Sequence, residues 1–442
     1  YFCQDAFLNQ LGVSPTFNLL TSVMDDMRPE NKYLHLMDEQ EAITKAQALL
    51  NRPGDANVSP LAVYRHAAKA DSVQQRRPNV VLIMMESMSA KFMKHFGQSE
   101  TLTPFLDSLY TRSISFRNFY SAGIHTNHGL YATLYSFPAM MKRNLMKGSV
   151  IPRYSGLPTV LKENGYYNLF FMTHEGQYDN MNAFFRTNGY DEVFSQENYP
   201  ADKVVNSFGV QDDFLYDYAI PVLNQRAATG QPFFATLLSI SNHPPYVIPP
   251  FFHPKTSEPE MQIVEYADWA LRQFFEEARK QPWFDNTIFV LEGDHGKLVG
   301  DAECELPESY NHIPLMIYSS RIQPEEKTAF GGQVDIQPTI LGLLNIDYLQ
   351  NNFGVDLLKE ERPCMFYTAD NMVVGRNDTL LYLYNYETQQ ELTYDIGNGK
   401  LNAVPMDDSF LPLKEYSFSM LQSAEFLVKH GKTLNSIPFT QQ

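Results

Sequence analysis

Apolar positions along this chain follow two periods, and their alternation predicts the architecture. Asn79-Val80-Val81-Leu82-Ile83-Met84-Met85-Glu86 is an unbroken apolar run that ends on a carboxylate. Similar runs lie at 167–173, 232–240, 287–292 and 312–318. Strands covered on both faces read this way, without the apolar-polar alternation of a half-exposed strand. Helical spacing separates them at 104–113, 129–135, 158–164, 214–225, 263–280 and 335–344. Strand and helix in turn predict an α/β fold, a mixed and mostly parallel sheet sandwiched by helices.

The texture differs at the two ends. Residues 39–50 have helical periodicity, stopped by Asn51-Arg52-Pro53-Gly54, so 1–75 is expected to be a mostly helical, peripheral linker. The α/β region is expected to span 76–358. Beyond it, β-rich runs at 379–386 and 390–396 flank Glu387-Thr388-Gln389 as a hairpin, and 411–430 reads as a last helix before Gly431. These predict a small α+β subdomain over 359–442.

Parallel strands open their carboxyl ends onto one crevice, where ligands bind. The run Thr287-Ile288-Phe289-Val290-Leu291-Glu292 leads into Gly293-Asp294-His295-Gly296. Glu86 and the Asp294-His295 pair are therefore expected to meet. Two carboxylates and an imidazole suit a divalent ion such as Mn²⁺ or Zn²⁺. The flanking glycines permit a tight turn and close approach of backbone. The plainer alternatives are a polar turn and a solvated Glu.

Other residues could complete such a site. His125-Thr126-Asn127-His128-Gly129 leads into a helix, where free N–H groups and the positive dipole end favour an anion and an activated oxygen. Thr126 is the candidate nucleophile, ahead of Ser121, unless it or Asn127 simply caps the helix. His243 follows the apolar run 233–240 and could hold a phosphoryl oxygen or protonate a leaving group. His174 ends another strand in the same way. Asp179 and Asn180 could hydrogen-bond a sugar or glycerol. His125, His128 and His312 receive no assigned role.

Charge narrows the partners. Lys plus Arg total 34 against 51 Asp plus Glu, a net charge of −17. Such a surface repels nucleic acid, and an anionic substrate would need a local cation. Cys3, Cys304 and Cys364 are too few and scattered for a disulfide framework. No apolar run approaches the roughly 18 residues of a membrane span. The start at Tyr1, without an initiator Met, gives the expectation of a membrane anchor upstream.

Taken together, the motifs resemble the alkaline phosphatase superfamily. Within it they resemble the sulfatase-like branch of lipoteichoic acid synthases and phosphoglycerol transferases. The likeness is carried by Asn79–Ser87, Leu102-Thr103-Pro104-Phe105-Leu106-Asp107-Ser108-Leu109, Phe116–Tyr120, Thr126, His174, Asn188-Gly189-Tyr190-Asp191, Ser241-Asn242-His243, Gly293–Gly296 and His312-Ile313-Pro314-Leu315. The resemblance implies one divalent ion, Mn²⁺ first with Zn²⁺, Mg²⁺ or Ca²⁺ as alternatives, held by Glu86, Thr126, Asp294 and His295. It implies Thr126 as nucleophile through a covalent phosphoglycerol-type intermediate, with substrate contacts from His174 and His243. It also implies a phospholipid head group or envelope glycan as substrate, an extracytoplasmic location and tethering by membrane helices. Two departures matter. A Trp-Asn-Arg element of the synthases is replaced by Tyr178-Asp179-Asn180-Met181, and the sulfatase pattern of Cys or Ser with Pro and Arg is missing around Thr126. The alternative readings are a phosphoethanolamine transferase, a sulfatase-like ester hydrolase and a non-catalytic lipid or glycan sensor.

Overall fold

Strand Asn79–Met85 lies at the heart of the molecule, and all seven of its residues are buried. The computed structural model describes residues 33–50, the backbone of 64–67, and residues 77–148, 150–397 and 399–435. Most of the expected linker 1–75 falls outside the described residues, although 39–50 is helical. In chain order the strands are β1 (Tyr64–Ala67), β2 (Asn79–Met85), β3 (Ile114–Tyr120), β4 (Tyr167–Phe171), β5 (Glu192–Phe194), β6 (Phe233–Leu238), β7 (Thr287–Gly293), β8 (Leu315–Tyr318), β9 (Glu325–Gly332), β10 (Tyr348–Asn351), β11 (Met365–Thr368), β12 (Met372–Arg376), β13 (Leu380–Asn385), β14 (Gln390–Gly397) and β15 (Lys400–Ala403). The helices are α1 (Glu39–Leu50), α2 (Pro104–Tyr110), α3 (Thr126–Tyr135), α4 (Leu157–Glu163), α5 (Met181–Thr187), α6 (Asp212–Ala228), α7 (Pro259–Ala278), α8 (Ile336–Leu343) and α9 (Leu411–Lys429).

Eight strands form the main sheet in the order β5-β4-β6-β2-β7-β8-β3-β9. Side chains of β2 alternate between two cores. Val80, Leu82 and Met84 pack into one, and Val81, Ile83 and Met85 into the other. Helices α3, α4, α5 and α8 cover the first face, while α2, α6 and α7 cover the second. The unbroken apolar stretch from Val80 to Met85 is what two buried faces require.

The run at 312–318 does not join the sheet as a parallel strand. β8 is antiparallel to both β7 and β3, while the other neighbouring pairs of the sheet are parallel. Burial in the sheet makes its composition identical to that of a parallel strand, so direction was not readable from it. β3, β5 and β9 also belong to the sheet although their sequences are more polar or shorter.

A second sheet, β11-β12-β13-β14-β15, is antiparallel throughout and includes the 380–397 hairpin. α9 packs on it, and its core is continuous with the first core of the main sheet. Two further ties join the sheets. Tyr120 stacks on Tyr367 with ring centroids 5.4 Å apart. The fully buried Arg362 guanidinium meets Asp335 Oδ2 at 2.9 Å through Nε and Tyr416 OH at 2.6 Å through Nη1. Among the described residues no helix is long and apolar enough to cross a membrane.

Candidate active site

Register explains why two distant carboxylates meet. β2 and β7 are parallel with Met84 opposite Glu292 and Met85 opposite Gly293. The next residues, Glu86 and Asp294, therefore leave the sheet side by side. Asp294 N–H donates to the Met85 carbonyl at 3.0 Å, and Ser87 N–H donates to Asp294 Oδ1 at 2.8 Å. Ser87 reaches this position with a left-handed φ of 50°, a conformation that costs a non-glycine residue on the order of 1–3 kcal/mol and that clusters at functional sites. Its hydroxyl donates to Glu86 Oε1 at 2.7 Å. The glycines flanking Asp294-His295 are needed for close approach. A Cβ on Gly293 would stand 2.4 Å from the Met88 carbonyl oxygen, and one on Gly296 would stand 2.0 Å from that of Ser309.

Glu86, Asp294 and His295 form one group whose facing atoms all lie within 4.8 Å of one another. His295 Nε2 is 3.8 Å from Glu86 Oε1 and 3.6 Å from Asp294 Oδ2. Both carboxylates are fully buried, and His295 forms the side nearer solvent. Burial first, and the Asp294 charge second, push the Glu86 carboxyl well above the usual carboxylate range. Asp294 Oδ2 is buried with no hydrogen-bond partner. Ligand bonds of about 2.0–2.2 Å place neighbouring donor atoms of one ion about 3–3.5 Å apart. A buried acidic pair, an unpartnered carboxylate oxygen and an imidazole lone pair thus fit a divalent cation.

Thr126 completes the constellation. It is the first residue of α3, which begins earlier than the apolar spacing from 129 indicated. Its Oγ1 donates to Glu86 Oε2 at 3.4 Å. His125 occupies the N-cap position and makes no side-chain cap bond, so Thr126 does not serve as the cap. Gly129 lets α3 sit against the Asp294 turn, because a Cβ there would be 2.3 Å from the Asp294 carbonyl oxygen.

Three histidines share one arrangement. Nδ1 of His174, His243 and His295 lies 3.1, 2.7 and 2.7 Å from the carbonyl oxygen of the next residue. That carbonyl holds the proton on Nδ1 and leaves the lone pair on Nε2. Burial lowers the pKa of His174 and of His243, which favours these neutral forms. His243 interacts electrostatically with His295, Asp294 and Lys297, and His174 with His243 and Asp179. Asp179 Oδ2 accepts from Asn127 Nδ2 at 3.4 Å, against the first turn of α3, and Asp179 pairs with Lys147 at 2.7 Å. Asn180 directs its amide to the Met146 carbonyl at 3.3 Å.

The unassigned histidines are not part of the ligand group. His125 Nε2 pairs with Asp370 at 2.6 Å, and His312 Nε2 meets the Arg117 carbonyl at 2.8 Å. His128 is a core residue whose pKa falls to about 3, through burial first and then the charges of His125 and His295. Sequence reading missed Ser87, Ser239, Tyr246 and Lys297 and gave Asn242 no role of its own. Ser239 accepts from Glu86 N–H at 3.0 Å, and Asn242 Nδ2 donates to the carbonyls of Glu86 and Ser87 at 3.2 and 3.1 Å. Only the placement of Asn242 beside His243, and of Lys297 two residues after His295, hinted at them.

This sheet, with acidic and imidazole groups at the carboxyl ends of its parallel strands, is an alkaline phosphatase superfamily fold. The sulfatase family model matches residues 78–346, and the chain belongs to the sulfatase family of enzymes. Its relatives include lipoteichoic acid synthase 2 of Bacillus subtilis, 24% identical over 64% of this chain and 47% of that protein. Lipoteichoic acid synthase of Staphylococcus saprophyticus is 24% identical over 75% of this chain and 54% of its own length. The chain thus spans about half the length of these relatives. Among solved structures, an alkaline phosphatase superfamily protein from Vibrio parahaemolyticus superposes with a TM-score of 0.80 and 26% identity, covering 91% of this chain and 98% of that one. Lipoteichoic acid synthase LtaP of Listeria monocytogenes gives a TM-score of 0.69 at 20% identity, over 82% and 96% of the two chains.

Proposed function

We propose that the chain transfers a phosphoglycerol-type group from a phospholipid head group to a hydroxyl acceptor, with Thr126 as nucleophile. The observation that carries this reading is the Thr126 hydroxyl, set at a helix N-terminus and bonded to Glu86 of the acidic-imidazole group. Glu86, Thr126, Asp294 and His295 would hold one divalent ion, Mn²⁺ foremost, whose role is to acidify the hydroxyl and offset phosphoryl charge.

In the first step a bond forms between Thr126 Oγ1 and phosphorus, and the bond from phosphorus to the glycerolipid oxygen breaks. The proton leaving Thr126 passes to Nε2 of His243 and then to the departing diacylglycerol oxygen. In the second step the acceptor oxygen bonds to phosphorus as the bond from phosphorus to Thr126 Oγ1 breaks; the acceptor proton passes to Nε2 of His243 and from there to Thr126 Oγ1. The N-terminal N–H groups of α3 favour the anionic phosphoryl group. His174, Asp179 and Asn180 would orient the glycerol. Kinship with the lipoteichoic acid synthases supports a lipid-linked donor, and an extracytoplasmic, membrane-tethered setting is part of the same proposal.

Phosphoethanolamine transfer with additional metal ligands has less support, because His125 and His312 engage other partners and the described residues offer a single ligand group. The test is release of diacylglycerol from phosphatidylglycerol with Mn²⁺, for the wild type and Thr126→Ala. The expected result is a loss of at least 10³-fold in the variant, since an attacking oxygen is removed outright. Equal turnover by both proteins refutes the assignment.

A further inference from the structure

We propose that Lys297 binds the substrate's phosphate group, as a fixed cation beside the metal-type group. This deepens the phosphoryl-transfer reading above and rests on it. Lys297 stands two residues beyond His295 and is held from two sides. Its Nζ donates to Asn242 Oδ1 at 2.7 Å and to Tyr246 OH at 3.1 Å. The same ammonium lies 4.8 Å from the centre of the Tyr246 ring and 5.4 Å from that of Phe92. Asn242 in turn grips the backbone of Glu86 and Ser87, so the ammonium is braced against the residue that begins the acidic group.

Its surroundings leave its charge without a direct partner. Among the described residues no carboxylate comes within 4.0 Å of Nζ; Glu86 and Glu260 act on it from farther away. A half-buried cation with neutral neighbours is an expensive arrangement for structure alone. An ammonium has three N–H donors, and Asn242 and Tyr246 take two. Among the described residues the third has no acceptor and is available to an incoming oxygen. His243 interacts electrostatically with both Lys297 and His295, which puts the ammonium on the side of the group where the phosphoryl chemistry is assigned. On a chain of net charge −17 such a cation supplies local attraction for an anionic head group.

The experiment titrates the Mn²⁺-loaded chain with glycerol phosphate and with inorganic phosphate by calorimetry. It also follows KM and kcat for phosphatidylglycerol and measures Mn²⁺ affinity. Lys297→Met is expected to weaken both anions at least tenfold and to raise KM, with Mn²⁺ affinity within twofold of the wild type. Lys297→Arg is expected to retain most of the anion binding. If Lys297→Met loses its melting transition, Lys297→Gln, which keeps an N–H donor for Asn242 without the charge, takes its place. Unchanged anion binding in the variant, with a competent wild type, overturns this inference alone. Mn²⁺ affinity falling in step with anion affinity also overturns it, because Lys297 would then act only by bracing Asn242. A wild type that binds neither Mn²⁺ nor glycerol phosphate overturns the transfer reading along with it.

Discussion

Replacing Gly129 with alanine sets helix propensity directly against packing. In an open helix interior, glycine to alanine stabilises by about 1 kcal/mol. In α3 the added carbon would lie 2.3 Å from the Asp294 carbonyl oxygen and 2.9 Å from Gln333 Nε2. Carbon–oxygen contacts normally close to about 3.3 Å, so helix and turn must part by about 1 Å. The carbonyl cannot swing aside freely, because Gln333 Nε2 donates to it at 2.7 Å. Overpacking of this kind costs about 1–3 kcal/mol, and a backbone clash belongs at the upper end. The expected balance for Gly129→Ala is a net loss of about 2 kcal/mol, a fall in Tm of about 2 °C for the metal-free protein. Thr126 lies one turn before Gly129, so the same shift moves its hydroxyl relative to Asp294. A misplacement of about 1 Å can cost on the order of 10²-fold in rate. The assays are thermal unfolding in chelator and phosphatidylglycerol turnover in Mn²⁺. A variant that melts at or above the wild type with undiminished turnover would refute the packing argument.

Three other outcomes follow from the geometry. Arg362→Met strands the buried Asp335 carboxylate between the two sheets and should cost about 3–5 kcal/mol, read from denaturant unfolding. Burial alone would raise the Glu308 carboxyl, but Arg376, His312 and the Tyr120 hydroxyl bring it down to about 2. Its stabilisation is therefore present above the ordinary value of 4.5 and is lost as pH falls from there toward about 2. Glu308 is 35% exposed, so solvent screening limits the effect to about 1–2 kcal/mol, and Glu308→Gln should lose less stability than the wild type between pH 6 and pH 3. Thr133→Val removes the 2.6 Å hydrogen bond to the fully buried Glu292 and should cost about 1–3 kcal/mol with no change of fold, measured by unfolding and circular dichroism.

Much of the framework was legible because burial writes itself into composition. β2 from Val80 to Met85 and β7 from Ile288 to Leu291 are unbroken apolar stretches, and the chemistry begins just past them, at Glu86 and Asp294. The hairpin of β13 and β14 was readable from its two β-rich runs around a polar turn. Other features depend on contacts between distant segments. The direction of β8 is set by its neighbours and leaves no mark on Leu315-Met316-Ile317-Tyr318. β9 alternates exposed and partly buried positions before its buried end, so its first half carries little apolar signal. The start of α3 at Thr126 was hidden because His125-Thr126-Asn127-His128-Gly129 has no apolar stripe. Lys297 acquires meaning only when Asn242 and Tyr246 fold against it. Side chains at the ends of strands can be nominated from sequence, whereas those bracing them are defined by tertiary contacts.

The account rests on a single divalent ion shared by Glu86, Thr126, Asp294 and His295. Anomalous diffraction from Mn²⁺-soaked crystals measures this directly. The expected result is one strong peak about 2.0–2.6 Å from an oxygen or nitrogen of each of these four side chains, absent in Asp294→Asn crystals. A peak elsewhere, or none at saturating Mn²⁺ in well-ordered wild-type crystals, contradicts the proposed chemistry.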